Sequence, residues 1–221
     1  MKTILCFGDS NTWGYMPKLD RPVLDATNRY PWGVRWTSLL DARLGDGYRV
    51  VEEGLNGRTT MFDCPMEDHR NGLKDIDVCL LTHNPIDMIV ITLGTNDVKP
   101  AFNMSPYIIA HGIERLIARV RANLCGPGGK DPQILIVAPI RIGENVEKQW
   151  LGVEFDASSL RKDAMLAEEY RKVAEAQGVH FLDAGARITA DPADCIHMNE
   201  EGHRLFAELV YEKIRAIEEE G

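Results

Sequence analysis

The chain has 221 residues, 44% of them hydrophobic, and a formal net charge of −9 from 34 acids against 25 bases. That is enough apolar material for a sizeable core, and too much for a disordered chain. The acidic balance, without a Lys/Arg-rich patch, argues against nucleic acid or an anionic membrane surface as a partner.

Apolar and helical segments alternate along the chain. Residues 3–7 form the first expected strand, too short for the apolar region of a signal peptide. "PWGVRWTSLLDARL" (31–44) has helical spacing, with Pro31 suited to a first turn and Gly45 to a stop. "YRVVEEG" (48–54) is the second strand, and a helix is expected within 67–82. The continuous apolar run "DMIVITLG" (87–94) suits a strand buried on both faces. Ser105 and Pro106 cap a helix reaching about Leu124, and "CGPGGKDP" (125–132) is a surface loop. "QILIVAP" (133–139) is the fourth strand, and residues 140–157 are irregular. A helix from Ser159 to Gln177 ends at Gly178. "VHFLDAG" (179–185) is the fifth strand, and the last helix runs from about Glu200 to Glu219.

Five strands joined by helices predict a doubly wound α/β fold on a parallel sheet, one domain over residues 1–221. No run of 18 apolar residues occurs, so no membrane-spanning helix is expected. Five scattered cysteines (6, 64, 79, 125 and 195) form no CxxC pair and suggest free thiols in a cytoplasmic protein.

Parallel sheets place their sites beyond the carboxyl ends of the strands. Polar clusters stand at those positions: Gly8-Asp9-Ser10-Asn11, "GLNGRTT" (54–60), Gly94-Thr95-Asn96-Asp97 and "DCIHMNEEGH" (194–203). A serine hydroxyl needs a base to become a nucleophile, and that base needs a partner on its other nitrogen. Ser10, His197 and Asp194 supply a complete triad, with Asp194 three residues before His197. The Asn96 amide and the Gly57 and Ser10 N–H groups are candidate donors to an oxyanion. Asp97 is expected to hold loops. Trp13, with Asp9 and Asn11, is a candidate wall of the substrate pocket. Arg58 is expected to hold nearby carboxylates, His203 to sit in the last helix, and Cys195 to fill space.

These blocks resemble the SGNH hydrolases, the GDSL esterase/lipase family, whose name-giving residues match Ser10, Gly57, Asn96 and His197, with Asp194 completing D-x-x-H. Asn11 departs from the leucine often found at that position. The resemblance implies a flavodoxin-like three-layer α/β/α sandwich, an ester substrate and no cofactor or metal. "GDSNTWG", "RWTSLL", "EEGLNGRTT", "LGTNDVK" and "FLDAGA" further resemble the bacterial arylesterase and acyltransferase branch. That branch implies short-chain acyl esters, acyl transfer to alcohols or peroxide in some members, and multimers through inserted segments in others. Residues 15–30 and 140–157 are the candidate pocket walls or homo-oligomer seams.

Two other readings compete. A metal-dependent phosphoesterase would use Asp9, Asn96, Asp97, His197 and His203 as ligands but leave Ser10 and Asp194 idle. A flavodoxin-like binding or signalling module would use Asp9 as a phosphoacceptor, but no phosphate-cradling glycine loop accompanies it.

Overall fold

The structure is a computed structural model and describes residues 1–18, 20 and 28–220. Five strands, β1 (Lys2–Gly8), β2 (Tyr48–Gly54), β3 (Met88–Thr92), β4 (Gln133–Ala138) and β5 (His180–Asp183), form one sheet. Their order is β2-β1-β3-β4-β5 and every pairing is parallel.

The alternation of side chains along a strand divides the core in two. Leu5 and Phe7 of β1 face one way, into a cluster with Ile89 and Ile91 of β3. Ile4 and Cys6 face the other way, with Val90. The first face is covered by α3 (Gly72–His83), α4 (Pro106–Asn123) and α5 (Ala157–Gln177). The second is covered by α2 (Trp36–Leu44) and α6 (Glu200–Glu220). On α6 the buried residues His203, Phe206, Val210, Ile214 and Ile217 recur every three or four positions, making one apolar stripe. This is the three-layer α/β/α sandwich expected from the sequence.

The elements differ from expectation mainly at their ends. The helix expected from Pro31 begins at Trp36. Gly33 has φ +98°, which a right-handed helix cannot include, so residues 31–35 form turns instead. Ser38 Oγ accepts from Gly33 N–H at 2.9 Å and holds that turn. α5 begins two residues earlier than expected because Asp156 caps it, accepting from Ser158 N–H and Ser159 N–H. The irregular 140–157 segment contains two short 3-10 turns, Val146–Lys148 and Trp150–Val153.

The strand order reverses direction between β1 and β3. In an open parallel sheet this is where the connections diverge to opposite faces and leave a crevice at the carboxyl edge. The turns carrying Ser10 and Asn96 both leave the sheet at that point.

Candidate active site

Ser10 opens α1 (Ser10–Trp13), a single helical turn directly after β1. Asp9 caps it, accepting from Asn11 N–H at 3.0 Å, and Gly14 closes it at φ +91°. The turn packs tightly on the sheet. A Cβ at Gly8 would collide with the Thr12 and Thr92 hydroxyls, which hydrogen-bond each other at 2.7 Å. Glycine there lets the serine turn sit directly on β3.

His197 comes from the loop before α6. Cys195 takes a left-handed backbone (φ +62°), folding the Asp194 carboxylate back over the chain. Asp194 Oδ1 accepts from Ile196 N–H and His197 N–H, each at 2.9 Å. Its Oδ2 accepts from His197 Nδ1–H at 2.7 Å. Nε2 is thereby left to accept from the Ser10 hydroxyl, at 2.9 Å. All three residues are buried, so water competes little for these bonds. Burial alone would raise the Asp194 pKa. The charge of His197 and the hydrogen bonds from His197 and Ile196 outweigh it and hold the carboxyl below its usual value.

Ser10 and His197 open onto a cleft of about 770 Å³, whose lining also contains Gly57 and Asn96. Gly57 stands at φ +76° in the turn after β2. Asn96 Nδ2 spends one hydrogen on the Arg58 carbonyl at 3.1 Å, leaving a second amide hydrogen. Asp97 locks these two loops together: its Oδ1 accepts from Thr60 N–H at 2.9 Å and from the Thr60 hydroxyl. The far wall comes from the 140–157 segment, through Trp150, Leu151, Glu154 and Phe155. Lys99 Nζ pairs with Glu154 across that wall.

Three candidate pocket residues stand elsewhere. Asp9, Asn11 and Trp13 are not in the cleft lining. Trp13 lies under the Arg29 guanidinium, whose carbon is 4.8 Å from the ring centroid, and is tilted against the Tyr15 ring with centroids 6.2 Å apart. The aromatic beside the site is Tyr15, stacked on the His197 ring with centroids 4.3 Å apart. Nothing in the local sequence distinguishes Tyr15 from Trp13 in this respect. The wall formed by Cys64, Met66 and Glu67 was equally silent in the sequence. Of the residues expected in the 15–30 wall, 19 and 21–27 lie outside the described residues.

Arg58 does not hold carboxylates. Its Nη1 donates to the Gly8 carbonyl at 2.8 Å and to the Glu53 carbonyl, and its guanidinium lies over Phe7. It therefore staples the loop after β2 to the end of β1. His203 lies on α6, wholly buried, and its Nδ1 accepts from Trp36 N–H at 3.2 Å. Burial, then the charges of His197 and Arg35, push its pKa down to about 3. Asp97 is engaged by Thr60, His197 by Asp194 and Ser10, and His203 by Trp36, so the ligand set of the phosphoesterase reading does not converge. Among the described residues no three His, Cys, Asp or Glu side chains group as a metal ion would require.

In this parallel α/β/α sandwich serine, histidine and aspartate are hydrogen-bonded in line at the switch point, an arrangement chemically able to activate the serine. Residues 6–205 match the family model of GDSL-like lipases and acylhydrolases, and the chain belongs to that family. The native aryl esterase of M. smegmatis superposes with a TM-score of 0.90 at 36% identity, over 98% of this chain and 99% of that one. A carbohydrate acetylesterase from Sinorhizobium meliloti gives a TM-score of 0.87 at 36% identity, over 98% of this chain and 100% of its own. An acetylxylan esterase of Xylanibacter ruminicola is 27% identical over 234 residues, which cover 96% of this chain. This chain spans only 43% of that relative's length. Family and relatives place the chain among the carboxylic ester hydrolases. Among the described residues no helix is long and apolar enough to cross a membrane.

Proposed function

We propose that residues 1–221 form one catalytic domain, a serine esterase that removes short acyl groups, acetyl above all, through an acyl-enzyme on Ser10. The observation that carries this reading is the unbroken line Ser10 Oγ, His197 Nε2, His197 Nδ1, Asp194 Oδ2 at the wall of a cleft. Ser10 attacks the ester carbonyl while its proton passes to His197 Nε2. Asp194 stabilises the imidazolium so formed. Negative charge develops on the carbonyl oxygen, and the donors assigned to it are Ser10 N–H, Gly57 N–H and the free amide hydrogen of Asn96. His197 then gives its proton to the departing alcohol. Water, or a second alcohol, repeats the sequence in reverse and releases the acyl group from Ser10. These steps draw on protein groups alone.

The cleft is far larger than an acetyl group requires. Its bulk suits the alcohol half of the ester, an aromatic or sugar alcohol, against Trp150, Phe102 and the Lys99–Glu154 pair. The named activities of the aryl, carbohydrate and acetylxylan esterases support this assignment. The apolar side of the same wall favours capture of the acyl-enzyme by an alcohol over water.

The test is covalent. A phosphonate should label Ser10 in step with loss of p-nitrophenyl acetate hydrolysis, and Ser10→Ala should fold yet turn over no ester. A label on another residue, with activity lost in proportion, would overturn the assignment. In a chain-length series acetate should be the fastest ester, and added benzyl alcohol should divert acetyl into benzyl acetate. Preference for long chains would refute the substrate class, and acetic acid as sole product would refute the transfer step.

A further inference from the structure

Asn11 follows the nucleophile directly, yet its side chain turns away from the cleft and into the histidine loop. Its Nδ2 donates to the Ile196 carbonyl at 3.3 Å, and its Oδ1 accepts from Met198 N–H at 2.9 Å. These two backbone groups flank His197. The amide thus pairs with the backbone on either side of the base, much as a neighbouring strand would. Asn11 is itself fixed, because its own N–H is held by Asp9.

The rest of the histidine loop is braced from the opposite direction. Asp191 N–H donates to the His197 carbonyl, Cys195 N–H to the Asp191 carbonyl and Gly143 N–H to the Cys195 carbonyl, each at 2.8 Å. None of these bonds refers to the β1 turn. Among the described residues, the hydrogen bonds joining residues 9–14 to residues 191–199 are the Ser10–His197 bond and the two from Asn11. The first must break and re-form at every turnover. The other two can persist throughout.

We propose that Asn11 is a positioning residue that sets the distance and angle between Ser10 and His197 by clamping the backbone at 196 and 198. The inference deepens the esterase reading and rests on it. It gives a physical role to the departure from leucine noted in the sequence. Leucine has the branched skeleton of asparagine, bulkier by its methyl groups, but no donor or acceptor, so it leaves the Ile196 carbonyl and Met198 N–H without these partners. Of the hydrogen bonds between these two segments only the reacting one would then remain, beside the Tyr15–His197 ring contact.

The experiment compares Asn11→Leu with the wild type, with rates expressed per serine titrated by a phosphonate so that unfolded protein does not count. A displacement of about 1 Å in a reacting pair costs on the order of a hundredfold. The expected result is a kcat per titrated serine lowered about ten- to a hundredfold, with KM within about twofold because Asn11 does not line the cleft. The rate of phosphonate labelling should fall by the same factor, since it needs the same base. A kcat per titrated serine equal to wild type would overturn the clamp. If Asn11→Leu does not fold, Asn11→Asp decides, because it keeps an acceptor for Met198 N–H and loses the donor to Ile196. It should lose several-fold in kcat at unchanged KM, and full activity would overturn the clamp. If the wild type is not labelled at Ser10, the esterase reading and the clamp fall together; equal labelling rates in wild type and Asn11→Leu sink the clamp alone.

Discussion

His203 offers a measurement in which the magnitude follows from its surroundings. The ring is buried between α6 and α2, accepts a hydrogen bond from Trp36 N–H, and lies edge-on to Tyr30 with centroids 5.2 Å apart. α2 has no side-chain cap of its own at Arg35, so His203 satisfies the first N–H of that helix. A proton on Nδ1 would end that bond and place a cation in the core, near Arg35 and His197. The folded pKa accordingly falls from 6.5 to about 3. A depressed folded value means the unfolded chain binds the proton more readily. The stabilisation is therefore complete above pH 6.5 and is lost as pH falls toward 3. Between pH 7 and pH 5 the loss from this one group is about 2 kcal/mol. His203→Asn places an amide oxygen near the position of Nδ1 but cannot titrate. Urea unfolding of both proteins at pH 7, 6 and 5 should show the wild type losing about 2 kcal/mol relative to the variant over that range. Asp9, Asp97 and Asp163 also titrate abnormally, but they are common to both proteins and largely cancel in the difference. Parallel curves for the two proteins, with a constant gap, would refute the argument that the buried ring resists protonation.

Removing the Asn96 amide should act on the transition state. Asn96→Ala is expected to lower kcat for p-nitrophenyl acetate on the order of a hundred- to a thousandfold with little change in KM, and a raised KM at constant kcat would make Asn96 a binding group instead. Asp97 titrates in the opposite sense to His203, because burial and the like charge of Asp9 outweigh the Thr60 hydrogen bonds and push it up to about 7. Its protonated form favours the fold below about pH 4, and that contribution is lost as pH rises through 7. Asp97→Asn, which keeps an acceptor for Thr60 N–H and cannot ionise, should gain on the wild type by on the order of 3 kcal/mol between pH 4 and pH 8 in urea unfolding; a pH-independent difference would count against it.

The core strands were legible in the sequence because parallel strands buried on both faces carry continuous apolar runs, such as Met88–Thr92, that few other segments mimic. Helix starts were legible where a capping residue marks them, as Ser105 and Pro106 do for α4. They were misread where a glycine in the left-handed region interrupts helical spacing, as Gly33 does before α2. Ser10, Asp194, His197, Gly57 and Asn96 could be picked out because they follow strand ends, and chain topology brings strand ends to one edge. Local order alone could pair Asp194 with His197, since three residues and one left-handed turn suffice. It could not say which neighbour of Ser10 faces the cleft. Trp13 and Tyr15 are two residues apart, and only the tertiary structure shows that Tyr15 is the one that meets the imidazole. Asn11 looked like a pocket residue and instead bonds to backbone 185 and 187 positions away. The cleft wall at 64–67 and 150–155 and the His203–Trp36 bond likewise join segments far apart in sequence. Apolar periodicity and turn chemistry are local and can be read from neighbouring residues. The direction in which a side chain points across the carboxyl edge depends on how the loops pack, which only the tertiary structure settles.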